Sequence, residues 1–212
     1  MFKVFSDKQV FSANHRNSNC LIIVVFRRSV LGQKRIIAFA ATWAIGVFVP
    51  VQVGDKAPDF TLPSQMGDNV TLSEYFGKKS VVLFFYPKDE SRGCTREACA
   101  FRDSYDIFVT LGAEVLGVSG QSVDSHRSFA SHHGLPFLLL SDAGDKVRRL
   151  YGVPATLGFI PGRVTYIIDK KGVVRHIFNS QSQLEKHVEE AKRVLEQLSA
   201  EEKAAETSVS NA

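Results

Sequence analysis

The sequence predicts an α/β fold: a central mixed sheet flanked by helices, preceded by a hydrophobic N-terminal extension. Three observations carry this. Residues 80–86 (SVVLFFY) and 113–119 (AEVLGVS) are near-continuous apolar runs rich in β-branched and aromatic residues, the pattern of strands buried on both faces. Stretches of helical spacing separate and follow them. The first fifty residues pattern differently, with seven Lys/Arg against the single acid Asp7 and two apolar runs.

The elements follow in order. Residues 60–62 and 69–72 flank the turn-rich SQMGD and read as a hairpin. Residues 80–86 form the central strand, which Pro87 stops because it has no N–H for the ladder. Residues 94–111 carry Cys99, Phe101, Tyr105 and Phe108 at apolar helical positions and read as one helix. Strand 113–119 leads to a helix over 122–132, opening on SVDSH with a capping hydroxyl, then a short strand at 137–140 and a short helix at 145–151. Strands 163–168 and 173–178 are joined by the turn sequence DKKG, and a helix over 183–198 closes the domain. Gly117 and Gly120 read as loop glycines, and Arg148-Arg149 as a solvated helix face. Strand, helix, strand, helix and a terminal ββα is the order of a thioredoxin-like fold. In that architecture chemistry sits where the first central strand hands over to its helix, and Cys94 falls there.

Three segments result. Residues 1–53 form a basic, hydrophobic targeting or membrane-anchor segment, 54–199 the thioredoxin-like domain, and 200–212 a polar tail expected to fray. Residues 36–53 are eighteen residues without a charge, directly after Lys34 and Arg35, and as a helix would reach about 27 Å, near the lower limit for a bilayer core. This fits an export signal or signal anchor, and Arg27-Arg28 adds a twin arginine. The scarcity of acids equally suits an organelle transit peptide, so the protein is expected in a plastid or thylakoid lumen, in a periplasm, or anchored through 36–53. The net charge of +4 leaves residues 51–212 at −2, so the basic character belongs to the leader and a nucleic-acid partner has no support.

Of three cysteines, Cys20 lies in the leader, leaving Cys94 and Cys99 in GCTREAC. A structural zinc site needs four N/S ligands, and His126, His132, His133, His176 and His187 lack supporting spacing. A thioredoxin-type oxidoreductase would show C-x-x-C, whereas four residues separate this pair. A third reading is a peroxide-reducing thiol with a partner in its own helix, set against a purely structural or fortuitous pair. A thiolate is the reactive form, and the first helical turn favours it through free N–H groups and the dipole. Residues five apart on an ideal helix have Cα atoms about 8.6 Å apart, and a disulfide needs about 7 Å or less. The pair cannot close while the helix is intact, which argues against a permanent staple and for a redox cycle with local unwinding.

YPKDESRGCTREACAFRDSY resembles the peroxiredoxin Q / bacterioferritin-comigratory-protein group of peroxiredoxins, with its P-x-x-x-T/S-x-x-C signature and a second cysteine five residues on. The similarity runs from GDKAPDFTLPSQMGD through FLLLSDAGDKVRRLYGVP and PGRVTYIID to the last helix. It implies a peroxidatic Cys94 that reduces hydrogen peroxide and alkyl hydroperoxides, resolved by Cys99 as an intramolecular disulfide and recycled by thioredoxin or a similar dithiol. It implies that Pro87 shields the thiol and that Arg163 favours the thiolate and stabilises charge on the peroxide. Ser91 stands where the family more often has Thr, keeping the hydroxyl that holds thiolate and peroxide and losing the methyl. No metal or organic cofactor is implied, and a resolving cysteine in the same chain implies a monomer. Alone, Pro87 could be only a strand terminator, Ser91 a turn residue and Arg163 a surface charge. The competing reading is a membrane-tethered thiol–disulfide exchange module, or a non-catalytic thioredoxin-like one.

Overall fold

A computed structural model describes residues 50–156 and 160–210. In chain order these form β1 (Thr61–Pro63), β2 (Asn69–Thr71), a 3-10 turn (Leu72–Tyr75), β3 (Ser80–Phe85), α1 (Arg92–Asp103), α2 (Tyr105–Thr110), β4 (Ala113–Ser119), α3 (Val123–His133), β5 (Leu138–Ser141), α4 (Lys146–Leu150), β6 (Ala155–Thr156), β7 (Ile160–Pro161), β8 (Val164–Ile168), β9 (Val174–Asn179) and α5 (Leu184–Ser210). The central sheet has the order β5-β4-β3-β8-β9, parallel from β5 to β3 and antiparallel from β3 to β9.

Every residue of β3 is buried because the strand alternates between two cores. Val82, Phe84 and Tyr86 face the layer of α1, α2, α3 and α5, packing with Phe101, Phe108, Phe129 and Val188. Val81, Leu83 and Phe85 face the β1–β2 hairpin, the 3-10 turn and the α4 region, packing with Leu62, Leu72, Val147 and Tyr151. Among the described residues, α1, α2, α3 and α5 therefore share one face and α4 lies on the other.

The structure differs from the expectations at instructive points. The helix expected over 94–111 starts earlier, at Arg92, and breaks at Ser104 into α1 and α2. Apolar periodicity cannot see this break, since Phe101 and Phe108 bury into one core on either side of it. The last helix runs past 198 to Ser210: burial ends at Leu198, but the following Ala, Glu and Lys have high helix propensity and the helix continues into the segment expected to fray. Of the apolar run 36–53, residues 36–49 lie outside the described residues. Val51 is buried in the second core, and Gly54 N–H donates to Val174 O at 2.8 Å, so the end of that run packs with the domain. Among the described residues no helix is long and apolar enough to cross a membrane.

Gly117 is not a loop glycine. It lies within β4, in register between Phe84 and Leu139, and a Cβ there would sit 2.7 Å from both side chains. Phe84 is itself stacked on Phe101 at 4.6 Å and cannot retreat freely. Gly117→Ala is expected to destabilise the protein by about 1–3 kcal/mol through overpacking, read as a lower denaturation midpoint at unchanged m.

Candidate active site

β3 delivers the chain to a five-residue approach, Tyr86 to Glu90, before α1. Asp89 fixes it. Its buried carboxylate accepts from Tyr86 Oη (2.7 Å), Ser125 Oγ (2.6 Å) and His126 Nδ1 (2.9 Å), tying the loop to the end of β3 and the start of α3. Burial pushes this carboxyl up, but the bonds from His126, Ser125 and Tyr86 outweigh it and hold it below the ordinary value. Glu90 adopts a left-handed φ of 56°, a strained conformation for a residue with a Cβ, and reaches His132 and His133 at 3.0 Å each. Ser91 then caps α1 through its carbonyl, which accepts from Thr95 N–H at 2.9 Å.

Cys94 is the third residue of α1 and only 1% exposed. Arg163, immediately before β8 and also buried, extends Nη2 to 3.3 Å from Cys94 Sγ. The other terminal nitrogen, Nη1, pairs with Glu97 Oε2. One guanidinium thus serves two groups, a sulfur and a carboxyl, on successive turns of one helix. Glu97 is fully buried, and burial pushes its carboxyl up to about 8 against the pull of Arg163. A protonated Glu97 leaves the positive charge of Arg163 uncancelled beside the sulfur. Positive charge and an N–H donor aimed at a buried sulfur form an arrangement that stabilises an anion there and on an oxygen bonded to it.

A second arginine frames the site. Arg148 is 5% exposed, not the solvated residue expected: Nη2 donates to Tyr86 O at 2.6 Å and Nη1 to Gly162 O at 2.8 Å. It thereby links the backbone just before Pro87 to that just before Arg163.

The structure brings Cys94 and Arg163 into contact and leaves Pro87 half-buried in the approach loop. Ser91 Oγ donates to Lys88 O at 3.0 Å, so its hydroxyl is engaged with the loop and not with the sulfur. Cys99 lies on the unbroken α1, partly exposed, and both cysteines are free thiols. Among the described residues no group of three or more His, Cys, Asp or Glu is placed to hold a metal ion. Sequence reasoning missed Glu97, Arg148, Asp89 and His187. A signal existed for Glu97: at i+3 from Cys94 it must share the face that buries the thiol. None existed for the others: Arg148 and His187 are fixed by groups distant in sequence, and Asp89, though near Tyr86, is buried by Ser125 and His126 of α3.

Residues 53–177 match the AhpC/TSA family. The chloroplastic peroxiredoxin Q of Gentiana triflora is 53% identical over 153 residues, covering 72% of this chain and 70% of that protein. The solved structure of peroxidoxin BcpB from Mycobacterium tuberculosis has a TM-score of 0.64 at 36% identity, covering 68% of this chain and 96% of that one. A bacterioferritin comigratory protein of Xanthomonas campestris, studied for its alkyl peroxide reduction activity, also has a TM-score of 0.64, at 26% identity, with coverages of 70% and 98%.

Proposed function

Because the chain belongs to the AhpC/TSA family, in its peroxiredoxin Q group, we propose that its thiol-dependent peroxidase activity runs through Cys94 as peroxidatic and Cys99 as resolving cysteine. The observation that carries this reading is the buried Cys94 Sγ in the first turn of α1 with Arg163 Nη2 at 3.3 Å.

The chemistry follows from that geometry. The Cys94 thiolate attacks the terminal oxygen of the hydroperoxide; the S–O bond forms as the O–O bond breaks, and the alkoxide or hydroxide leaves and takes up a proton. Arg163 is charged throughout and placed to stabilise both the starting sulfur anion and the negative charge moving onto oxygen. Pro87 and the Asp89-anchored loop limit water at the sulfur. The Ser91 hydroxyl must turn from Lys88 O to serve the peroxide, a rotation about one side-chain torsion.

In the second step Cys99 sulfur attacks the Cys94 sulfenic sulfur, displacing water and forming a disulfide. Since α1 holds the two cysteines in one intact helix, this step requires its first turns to unwind. A thioredoxin-type dithiol then returns both thiols by exchange. Cys99→Ser is expected to consume one equivalent of peroxide at the normal initial rate and then stall, Cys94 accumulating as sulfenic acid or as a mixed disulfide. Stopped-flow peroxide loss combined with sulfenic-acid trapping checks this; sustained turnover would remove Cys99 from the cycle.

The chain resolves its own sulfenic acid in this scheme, so a monomer suffices. We read the basic, nearly acid-free leader as a plastid transit segment, supported by its composition and by the chloroplastic relatives. Recovery of the mature protein with its first fifty residues intact would overturn that assignment.

A further inference from the structure

Glu97 has one carboxyl oxygen on Arg163 and a second, Oε1, that accepts no hydrogen bond although it is buried. That oxygen lies 3.7 Å from Nδ1 of His187, a wholly buried histidine in the first turn of α5. The histidine is oriented from both sides. Nε2 is 2.9 Å from Ser180 O, and a carbonyl can only accept, so Nε2 carries the hydrogen. Nδ1 is 2.7 Å from Thr165 Oγ1 on β8. Burial lowers His187 to about 4, reinforced by the nearby Arg163 and opposed by the Ser180 bond, so the ring is neutral and Nδ1 is an acceptor that receives the Thr165 hydroxyl. The ring also packs edge-on against Phe178 at 4.7 Å.

Glu97 Oε1 therefore faces an unprotonated, electron-rich ring nitrogen that has no hydrogen to give it. An ionised carboxylate finds no donor there and meets partial negative charge, so the imidazole disfavours the form of Glu97 that would compete with Cys94 for Arg163. The groups facing Glu97 are Arg163 just before β8 and His187 on α5; those facing His187 are Glu97, Arg163, Thr165 and Ser180. The same end of α5 touches the peroxidatic turn again through Glu185, which pairs with Arg96 at 2.5 Å.

We propose that His187, oriented by Thr165 and Ser180, is a positioning residue for the peroxidatic thiol, acting through the carboxyl of Glu97 on the guanidinium that Glu97 and Cys94 share. The proposal rests on Cys94 being the peroxidatic residue, and its test separates the two. Iodoacetamide alkylation of Cys94, located by peptide mass spectrometry, is followed against pH in the full-length protein alongside peroxide consumption. In His187→Leu both rates at neutral pH are expected to fall about tenfold, with alkylation recovering at alkaline pH, the behaviour of a thiol whose ionisation has moved by about one pH unit. His187→Asn, whose side-chain carbonyl can still accept from Thr165, is expected to stay within about threefold of the parent. Thr165→Val removes the orienting hydroxyl at nearly constant volume and is expected to shift alkylation in the same direction, which keeps the test decisive should His187→Leu fail to fold.

A peroxide rate that falls with no change in the alkylation profile, in whichever of these variants folds, would make His187 a packing residue and overturn the proposal. An unmodified protein whose Cys94 alkylates no faster at neutral pH than a free cysteine would instead overturn the assignment of Cys94 itself.

Discussion

Replacing Cys94 by serine is expected to remove peroxide consumption, by about a thousandfold or more, the scale on which enzymes lose activity with their nucleophile. The hydroxyl is similar in size to the thiol and can accept the same Arg163 hydrogen bond, so the fold and the buried Glu97 pair should survive. Chemistry does not survive, because an alcohol stays protonated where a thiol ionises, and a neutral oxygen does not open a peroxide bond. Cys99 cannot stand in for it: it is partly exposed on a later turn, and the Arg163 guanidinium is committed to Cys94 and Glu97. Peroxide loss with a thioredoxin-type reductant, beside a circular dichroism melt to show that the variant is folded, makes the comparison. Undiminished turnover in the folded variant would end the assignment.

Arg163→Leu is expected to lower the second-order rate with peroxide by about a hundredfold to a thousandfold, the cost of losing one preorganised donor at a centre of developing charge. Stability should suffer less than the removal of an ion-pair partner from a buried site usually implies, because burial already holds Glu97 toward its neutral form and no buried charge is stranded. Arg163→Lys should recover only part of the rate. Arg163 uses two nitrogens on two partners at once, Nη2 on Cys94 and Nη1 on Glu97, and an ammonium on a flexible stem cannot reproduce that fork. Initial rates over a peroxide series for the three proteins give the order Arg above Lys above Leu. Equal rates would show that the contact at 3.3 Å plays no part in the reaction.

These two residues were legible in the sequence for different reasons. Cys94 could be placed by local rules alone: a β-branched and aromatic strand, a proline stop, and a cysteine opening the next helix. Arg163 needed the resemblance, since nothing near PGRVTY says that its side chain turns inward. The remainder of the site depends on contacts across the chain that no window of sequence holds. Arg148 sits in a charged KVRR stretch like any exposed helix, yet it spans the backbone between Tyr86 and Gly162 and is buried by doing so. Asp89 reads as a loop acid until α3 brings Ser125 and His126 to it. His187 lies among charged residues near the start of α5 and becomes part of the site only when β8 offers Thr165. Gly117 was misread as a loop glycine for the complementary reason: its neighbours Phe84 and Leu139, on the strands either side, need its missing side chain. Strand and helix order, governed by local periodicity, was recovered almost throughout. The break at Ser104 and the extension to Ser210 were not, because in both places the apolar pattern and the hydrogen-bond ladder end at different residues.

Non-reducing mass spectrometry of the full-length protein after one equivalent of hydrogen peroxide decides whether Cys94 and Cys99 form one peroxide-driven couple. Loss of peroxide in step with a Cys94–Cys99 linked peptide, lighter by two hydrogens than the reduced pair, is the predicted result. Two unmodified thiols beside persisting peroxide would contradict it.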